Sequence, residues 1–171
     1  MLFLKCTATV QKIVGLRKEN LADAVETDAP LGNWYVNQFK ADRKQIFVFM
    51  SESTLLSFIL YKGKKAVTVE SLPNMLLAGL QQFLEMRGLP SATIEKALLH
   101  YESGAYAKTD NRSSLGTLND LIHIYRHLIE SSGGLASCDL TAIIMKINEI
   151  PQRKLEWSNS WAVTQAKLEL E

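Results

Sequence analysis

The segment of residues 108–119, KTDNRSSLGTLN, combines the residue types in this chain that are best suited to bind a ligand. If a strand passes into a helix here, the polar side chains at its start can cap the first helical N–H groups, which lack partners and lie at the positive end of the helix dipole. Arg112 and Asn119 are seven residues apart, so they share one helix face, and Gly116 lies between them. The spacing predicts a small crevice that could admit a ligand or another chain.

A purely structural role also accounts for these residues. Gly116 would then let a strand pack closely, Arg112 would pair with a carboxylate, and Asn119 would satisfy backbone groups of a neighbouring loop. Buried polar groups must find partners whatever a protein does. The sequence leaves both interpretations open.

Catalytic and metal-binding patterns are weaker. His123 and His127 are spaced i, i+4, as on metal-binding helices, but the remaining histidine is His100 and no glutamate follows His123 directly. A solvated polar face is the alternative for this pair. The sequence contains no GxSxG elbow, no phosphate loop and no GxGxxG motif. We therefore predict no catalytic residue, no metal and no cofactor, and the patterns favour a protein that is not an enzyme.

Length and composition indicate one globular domain over residues 1–171. The chain is 47% hydrophobic and 22% charged, close to the averages for globular proteins. Cys6 and Cys138 are far apart and form no CxxC motif. The opening MLFLKC is too short for a signal peptide, and no apolar run reaches the roughly 20 residues of a membrane span. We expect a cytoplasmic protein with no membrane segment.

The formal net charge of +1 argues against nucleic acid as a partner, because phosphate binding usually requires a clear basic excess. The tightest basic run is Lys62, Lys64 and Lys65. It is typical of a solvated strand end. With Lys108, it would supply the contacts if the chain bound nucleic acid weakly.

Hydrophobic periodicity predicts an α+β fold, in which helices pack on a small, mostly antiparallel sheet. The predicted strands cover residues 2–6, 33–40, 44–51, 55–62 and a short 104–109. The predicted helices cover residues 7–15, 73–88, 91–102, 111–131 and 139–149. Residues 131–171 form a C-terminal helix and a tail that pack on the core. Trp157 and Trp161 in this tail share a face if it is helical, and they dock either on the chain's own core or on a partner.

A family resemblance rests on three features: the strand Asn33-Trp-Tyr-Val-Asn37, then Arg43 with two apolar strands, and the later KTDNRSSLGTLND. Together they resemble domain-of-unknown-function family 6933, over roughly residues 1–130. The resemblance implies a bacterial, plasmid or phage setting and no particular reaction. It marks seven candidate ligand- or partner-binding residues: Trp34, Asn37, Arg43, Thr109, Arg112, Ser113 and Asn119. Similar sequences tend to carry asparagine and threonine where this chain has Ser51-Glu-Ser-Thr54.

Three functions follow as hypotheses. The first is a non-catalytic binding or regulatory module, linked to mobile elements, whose partner is a protein or a second copy of the chain. The second is an enzyme or binder of a small anionic or nucleotide-like ligand, held by Arg112 and Arg43 near the helix start. The third is a weak nucleic-acid binder.

Overall fold

A computed structural model describes residues 1–61 and 63–171, and it confirms the α+β class. The strands are β1 (Leu2–Cys6), β2 (Trp34–Ala41), β3 (Lys44–Ser51), β4 (Ser57–Leu60) and β5 (Gly104–Lys108). The α-helices are α1 (Ala8–Val14), α2 (Ser71–Met86), α3 (Ser91–Leu99), α4 (Arg112–Ser131), α5 (Leu140–Ile147) and α6 (Ser160–Glu169). Two short 3-10 helices cover Lys18–Asn20 and Arg153–Leu155.

The sheet is mixed, so the prediction of a mostly antiparallel sheet fits approximately: two strand pairs are antiparallel and two are parallel. Its strand order is β4-β3-β2-β1-β5. The strands β2, β3 and β4 form the antiparallel meander that the apolar runs predict. However, β1 lies between β2 and β5 and runs parallel to both. Periodicity gives no strand direction, so the sequence could not predict these two parallel pairs.

The meander is built from two well-matched strands and one shorter strand. All eight residues of β2 pair with β3, and the two strands are joined by Asp42 and Arg43, both with positive φ. A two-residue loop of this conformation matches the right-handed twist of the flanking strands. The third strand, β4, is shorter than the predicted 55–62, and Lys62 lies outside the described residues.

Side-chain caps fix the starts of three helices where the sequence predicts them. Thr7 accepts a hydrogen bond from the Val10 amide, Asn111 from the Ser114 amide and Asp139 from the Ala142 amide. Each cap satisfies an N–H group that the helix itself leaves unpaired. The cap at Asn111 determines where α4 begins, and therefore where the candidate residues of its first turn lie.

Helices cover both faces of the sheet. On the face that we call the α2 face, α1, α2 and α3 bury Leu4, Trp34 and Phe49. On the opposite α4 face, α4 and α5 bury Tyr35 and Val48. The alternation of side chains along β2 sends Trp34 and Tyr35 to different cores, because successive strand residues point to opposite faces.

The C-terminal segment contains two helices where one was predicted. The extra helix, α6, packs on the α2 face through Leu168. Its apolar residues do not follow a clear helical period, so the sequence pattern missed it. Trp157 precedes α6 and Trp161 lies within it, so the two tryptophans do not share a helix face. Each helix in the described ranges falls short of the length or the apolarity that a membrane crossing requires.

Candidate functional site

A buried lysine lies in the centre of the sheet. Lys5 is the fourth residue of β1, and the strand registers place it between Tyr35 of β2 and Ala107 of β5. Its neighbours Leu4 and Cys6 point to the α2 core, so Lys5 points to the α4 face. Its side chain is only 5% exposed. A charge removed from water to this extent must be paired to be tolerated.

Two carboxylates and a tyrosine surround this ammonium group. Lys5 Nζ lies 2.7 Å from Glu52 Oε1 and 3.0 Å from Asp110 Oδ1. The Tyr35 hydroxyl donates a hydrogen bond of 2.7 Å to the same Asp110 oxygen. The ammonium also lies 5.3 Å from the centre of the Tyr35 ring, within cation–π range. We call these four residues the Lys5 network.

The fold brings the network together from distant parts of the chain. Glu52 directly follows β3, and Asp110 lies in the short connection between β5 and α4. Glu52 is two residues beyond Met50, whose side chain packs in the α4 core, so the carboxylate extends the same face. The network therefore depends on the parallel placement of β1 between β2 and β5.

The electrostatics of the network favour its charged form. Burial alone lowers the pKa of Lys5, but hydrogen bonds and charge attraction from Glu52 and Asp110 outweigh it and raise that pKa above its usual value. Burial likewise opposes ionisation of Asp110, yet the bonds from Tyr35 and Lys5 hold the pKa of this carboxyl below its usual value. Burial, followed by the bond to Asp110, raises the pKa of Tyr35. Lys5 and Tyr35 therefore both keep their protons near neutral pH.

A cavity of 460 Å³ opens beside the network, and we call it the Lys5 pocket. Its lining consists of Lys5, residues 24–27, Gly32, Asn33, Glu52, Ser53 and Asp110. Exposure differs sharply among the charged groups, because the Glu52 and Asp110 side chains are 32% and 44% exposed whereas Lys5 is 5% exposed. Glu26 adds a third, exposed carboxylate. A ligand in this pocket would therefore meet carboxylate oxygens.

Asn33 holds the wall of the pocket in place. Its side-chain oxygen accepts a hydrogen bond from the Phe3 amide at 3.0 Å, and its side-chain nitrogen donates to the Val25 carbonyl at 2.9 Å. The loop of residues 24–27 is thereby tied to β1. Gly32 beside it has a φ of +69°, and a Cβ atom there would lie 2.3 Å from Ser53 Oγ. This position requires glycine.

The structure brings two of the seven predicted site residues into contact. Asn37 donates to the Asn119 side-chain oxygen at 3.2 Å and accepts a hydrogen bond from the Thr7 hydroxyl at 3.0 Å. These bonds link β2 to α4 and to the residue that caps α1. The pair is accessible to solvent, since Asn119 is exposed and Asn37 is half-buried.

Trp34 and Arg43 do not join that pair. Trp34 is fully buried in the α2 core, where its indole N–H donates to the Tyr101 hydroxyl at 3.2 Å. Arg43 lies in the turn between β2 and β3, at the far end of these strands from the Lys5 pocket. The sequence-predicted residues therefore do not converge on one pocket.

The remaining three predicted residues lie around the start of α4. Arg112 and Ser113 are exposed in its first turn, and Thr109 is half-buried just before it. Lys154 donates to the Ser113 carbonyl and to the Thr117 hydroxyl, both at 2.6 Å. The second 3-10 helix thus already supplies a donor to the Ser113 carbonyl and the Thr117 hydroxyl, close to Arg112. A Cβ atom at Gly116 would meet no atom within 4 Å, so no close strand packing requires this glycine.

The two tryptophans differ in environment. Trp157 is 67% exposed and has a positive φ of 67°. Trp161 packs against the α2 core, where its ring makes an edge contact with Phe83 and lies 5.0 Å from the Arg87 guanidinium. Trp161 therefore packs on the chain's own core, whereas Trp157 projects into solvent.

The histidine pair is also exposed. His123 and His127 both lie on the outer surface of α4. Within residues 1–61 and 63–171, no three His, Cys, Asp or Glu side chains are grouped closely enough to hold a metal ion.

Comparison with known families assigns the chain. The family model described as Domain of unknown function (DUF6933) matches residues 3–162. The chain belongs to DUF6933. This confirms the resemblance, and the match extends beyond residue 130, where the sequence motifs end. All four residues of the Lys5 network lie within the matched range of the DUF6933 domain. No curated protein matches the sequence.

Sequence reasoning missed most of the Lys5 network in this DUF6933 domain. The sequence pattern presents Asp110 only as one of the polar residues at the start of a helix, and Glu52 only as part of a segment that departs from similar sequences. One signal was available: Lys5 interrupts the apolar run Leu2–Cys6, and a lysine inside a buried strand must have acidic partners. Their identity depends on tertiary structure, because Glu52 and Asp110 are 47 and 105 residues away in sequence.

Proposed function

We propose that this DUF6933 domain is a non-catalytic binding module whose ligand site is the Lys5 pocket. The proposal rests on the difference in solvent exposure between the acidic and the basic side chains of the pocket. Glu26, Glu52 and Asp110 line the cavity and have exposed or partly exposed side chains, whereas the single lining cation, Lys5, is buried and already paired. The ligand class is a protein segment with an ammonium or guanidinium group, because carboxylates bind these groups by charge-assisted hydrogen bonds.

The absence of an activated group in the pocket supports binding without chemistry. A catalytic lysine needs a lowered pKa and a catalytic tyrosine or cysteine must lose its proton readily. Here the pKa of Lys5 and of Tyr35 are both raised. On the other face of β1, in the α2 core, burial also raises the pKa of the Cys6 thiol to about 12. Each shift favours the protonated form, which suits a rigid recognition surface.

The biological setting is part of this proposal. The bacterial and mobile-element association comes from the family resemblance, and a reducing, cytoplasmic compartment suits two cysteines that are both free. The partner that we favour is another protein, with a second copy of the chain as the alternative. We also keep the prediction that residues 1–171 act as one domain and that exposed Trp157 adds to partner contact.

NMR titration with short arginine- or lysine-containing peptides tests the site directly. We expect amide shifts confined to residues 24–27, 32–33 and 52–53, and weaker binding of Glu26→Gln. Glu19→Gln is the matched control, because Glu19 is equally exposed but lies outside the pocket. Ala24→Trp should block binding by filling the cavity. No shifts at millimolar peptide, or equal losses in the two glutamine variants, would rule the site out.

A second candidate function is an enzyme or binder that acts on a small anionic or nucleotide-like ligand at the start of α4. The solvent-accessible Asn37–Asn119 contact favours it, because Asn119 lies on the same helix that carries exposed Arg112 and Asn37 adds a second amide from β2. Thermal-shift measurements with nucleotides and phosphates test this alternative. It requires a ligand that raises the melting temperature of the wild type and not of Arg112→Ala.

A further inference from the structure

A second cavity lies at the opposite end of the β2–β3 pair from the Lys5 pocket. We call it the basic cleft. It has a volume of 550 Å³ and is lined by residues 43–45, Phe47, Tyr61 and residues 63–67. The turn between β2 and β3 forms one wall, and the chain that follows β4 forms the other.

The charge of the basic cleft is all of one sign. Arg43 and Lys44 come from the turn, and Lys64 and Lys65 come from the opposite wall. No acidic residue is found among the lining residues that the structure describes. Ion pairs in the described ranges involve none of these four cations. Their positive potential is therefore free to attract an anion.

An aromatic ring and an apolar floor accompany these cations. Tyr61 is 40% exposed, and Lys44 Nζ lies 5.2 Å from the centre of its ring. Phe47 and Val67 are buried beneath the opening. An exposed aromatic ring in a cleft lined by several cations is the combination that single-stranded nucleic-acid binders use, in which bases stack on the ring while cations contact the backbone.

We propose that the basic cleft binds single-stranded nucleic acid, independently of the Lys5 pocket. One unpaired base stacks on Tyr61, and the flanking phosphates contact Arg43, Lys44, Lys64 and Lys65. The nucleic acid must be single-stranded, because the faces of bases in a duplex are covered by their neighbours and cannot reach an aromatic ring in a cleft.

The site differs from the one that the sequence suggested for nucleic acid. Lys108 ends β5, the edge strand opposite β4, so it lies away from the cleft. Lys62 lies outside the described residues and carries no part of the proposal. The net charge of +1 predicts no nucleic-acid partner, but it is a sum over the whole chain and does not show where the charges lie. The fold brings four cations together in one cleft.

Fluorescence anisotropy with a labelled oligothymidine of roughly 12 nucleotides tests the proposal. For four phosphate contacts, the salt dependence of single-strand binding predicts about 50-fold weaker affinity at about 200 mM than at about 50 mM salt. Arg43→Gln/Lys64→Gln should halve the slope of log affinity against log salt. The control Lys108→Gln/Lys146→Gln removes two exposed lysines outside the cleft and should leave the slope unchanged.

Tyrosine variants separate stacking from simple charge attraction. Tyr61→Ala should weaken binding about 5- to 150-fold, whereas Tyr61→Phe, which keeps the ring, should bind like the wild type. Thermal melting confirms that each variant is folded. The proposal is overturned by absence of binding at about 50 mM salt, by equal losses in both double variants, by preference for a duplex, or by unchanged affinity of Tyr61→Ala.

Discussion

The Lys5 pocket and the basic cleft lie at opposite ends of the same pair of strands, and they treat charge in opposite ways. In the Lys5 pocket, a buried ammonium is paired with two carboxylates, one of which also accepts a hydrogen bond from a tyrosine hydroxyl. In the basic cleft, exposed cations face solvent beside an exposed ring. The first arrangement links four segments of the fold, and the second leaves its charges available for a ligand.

The burial of a charged side chain decides whether it contributes mainly to stability or mainly to ligand binding. Removing one member of a buried pair leaves the other without compensation, so such residues affect stability strongly. Mutation of an exposed charged residue changes the stability of the protein little, because water solvates the exposed group. Substitutions in the Lys5 network should therefore change stability, whereas substitutions in the cleft should change only ligand binding.

Lys5→Met should produce the largest effect. We expect it to lower the free energy of unfolding by about 1–3 kcal/mol, because two partly exposed carboxylates lose their shared donor. Urea denaturation measures the change. Lys64→Met in the cleft is the matched control and should stay within about 0.5 kcal/mol of wild type. Equal effects of the two variants would contradict the comparison.

Tyr35→Phe should have the next largest effect. It removes only the hydroxyl that donates to Asp110, for which we expect a loss of about 1 kcal/mol. The pKa of Asp110 should rise towards its ordinary value, which NMR titration of the carboxyl detects. Tyr61→Phe makes the same chemical change at the cleft and should leave stability unaltered. If Tyr35→Phe leaves the free energy of unfolding unchanged, the hydrogen bond from the hydroxyl does not contribute to stability.

Alkaline pH should reveal the Lys5 network by a smaller change. Because the pKa of Lys5 is raised by folding, its stabilisation is complete below the unfolded pKa of about 10.4 and is lost as pH rises through the higher folded pKa. The difference in melting temperature between wild type and Lys5→Met should therefore stay constant at neutral pH and shrink in this alkaline range. A constant difference through that range would show that the ammonium is not held by its partners.

Arg43→Gln should have the smallest effect on stability, within about 0.5 kcal/mol by urea denaturation. Arg43 lies in an exposed turn and makes no ion pair among the described residues. A large loss would show that the cleft, like the Lys5 pocket, is part of the scaffold.

Local features of the fold could be predicted from sequence because they depend on neighbouring residues. The bounds of β3, 44–51, match its predicted range, and the helices capped by Thr7, Asn111 and Asp139 begin within one residue of their predicted starts. The parallel pairing of β1 with β5 could not be predicted, because it joins residues about a hundred positions apart. Of the predicted site residues, Asn37 and Asn119 are in contact. Trp34 lies in the α2 core whereas its neighbour Tyr35 lies in the α4 core, and no sequence motif indicates which face of a strand packs on which helix.

The position of β1 has a consequence for how the chain acquires its structure. Its five residues need both β2 and β5 as hydrogen-bonding neighbours, yet β5 is made long after β1. The local hairpins of the meander can form early, whereas the two parallel ladders require closure of long loops, which is slow. Until then, the apolar Leu-Phe-Leu segment near the amino terminus lacks one or both of the strands that pair with it. We therefore expect incompletely folded chains of this protein, including those still being synthesised, to aggregate more readily than the folded domain.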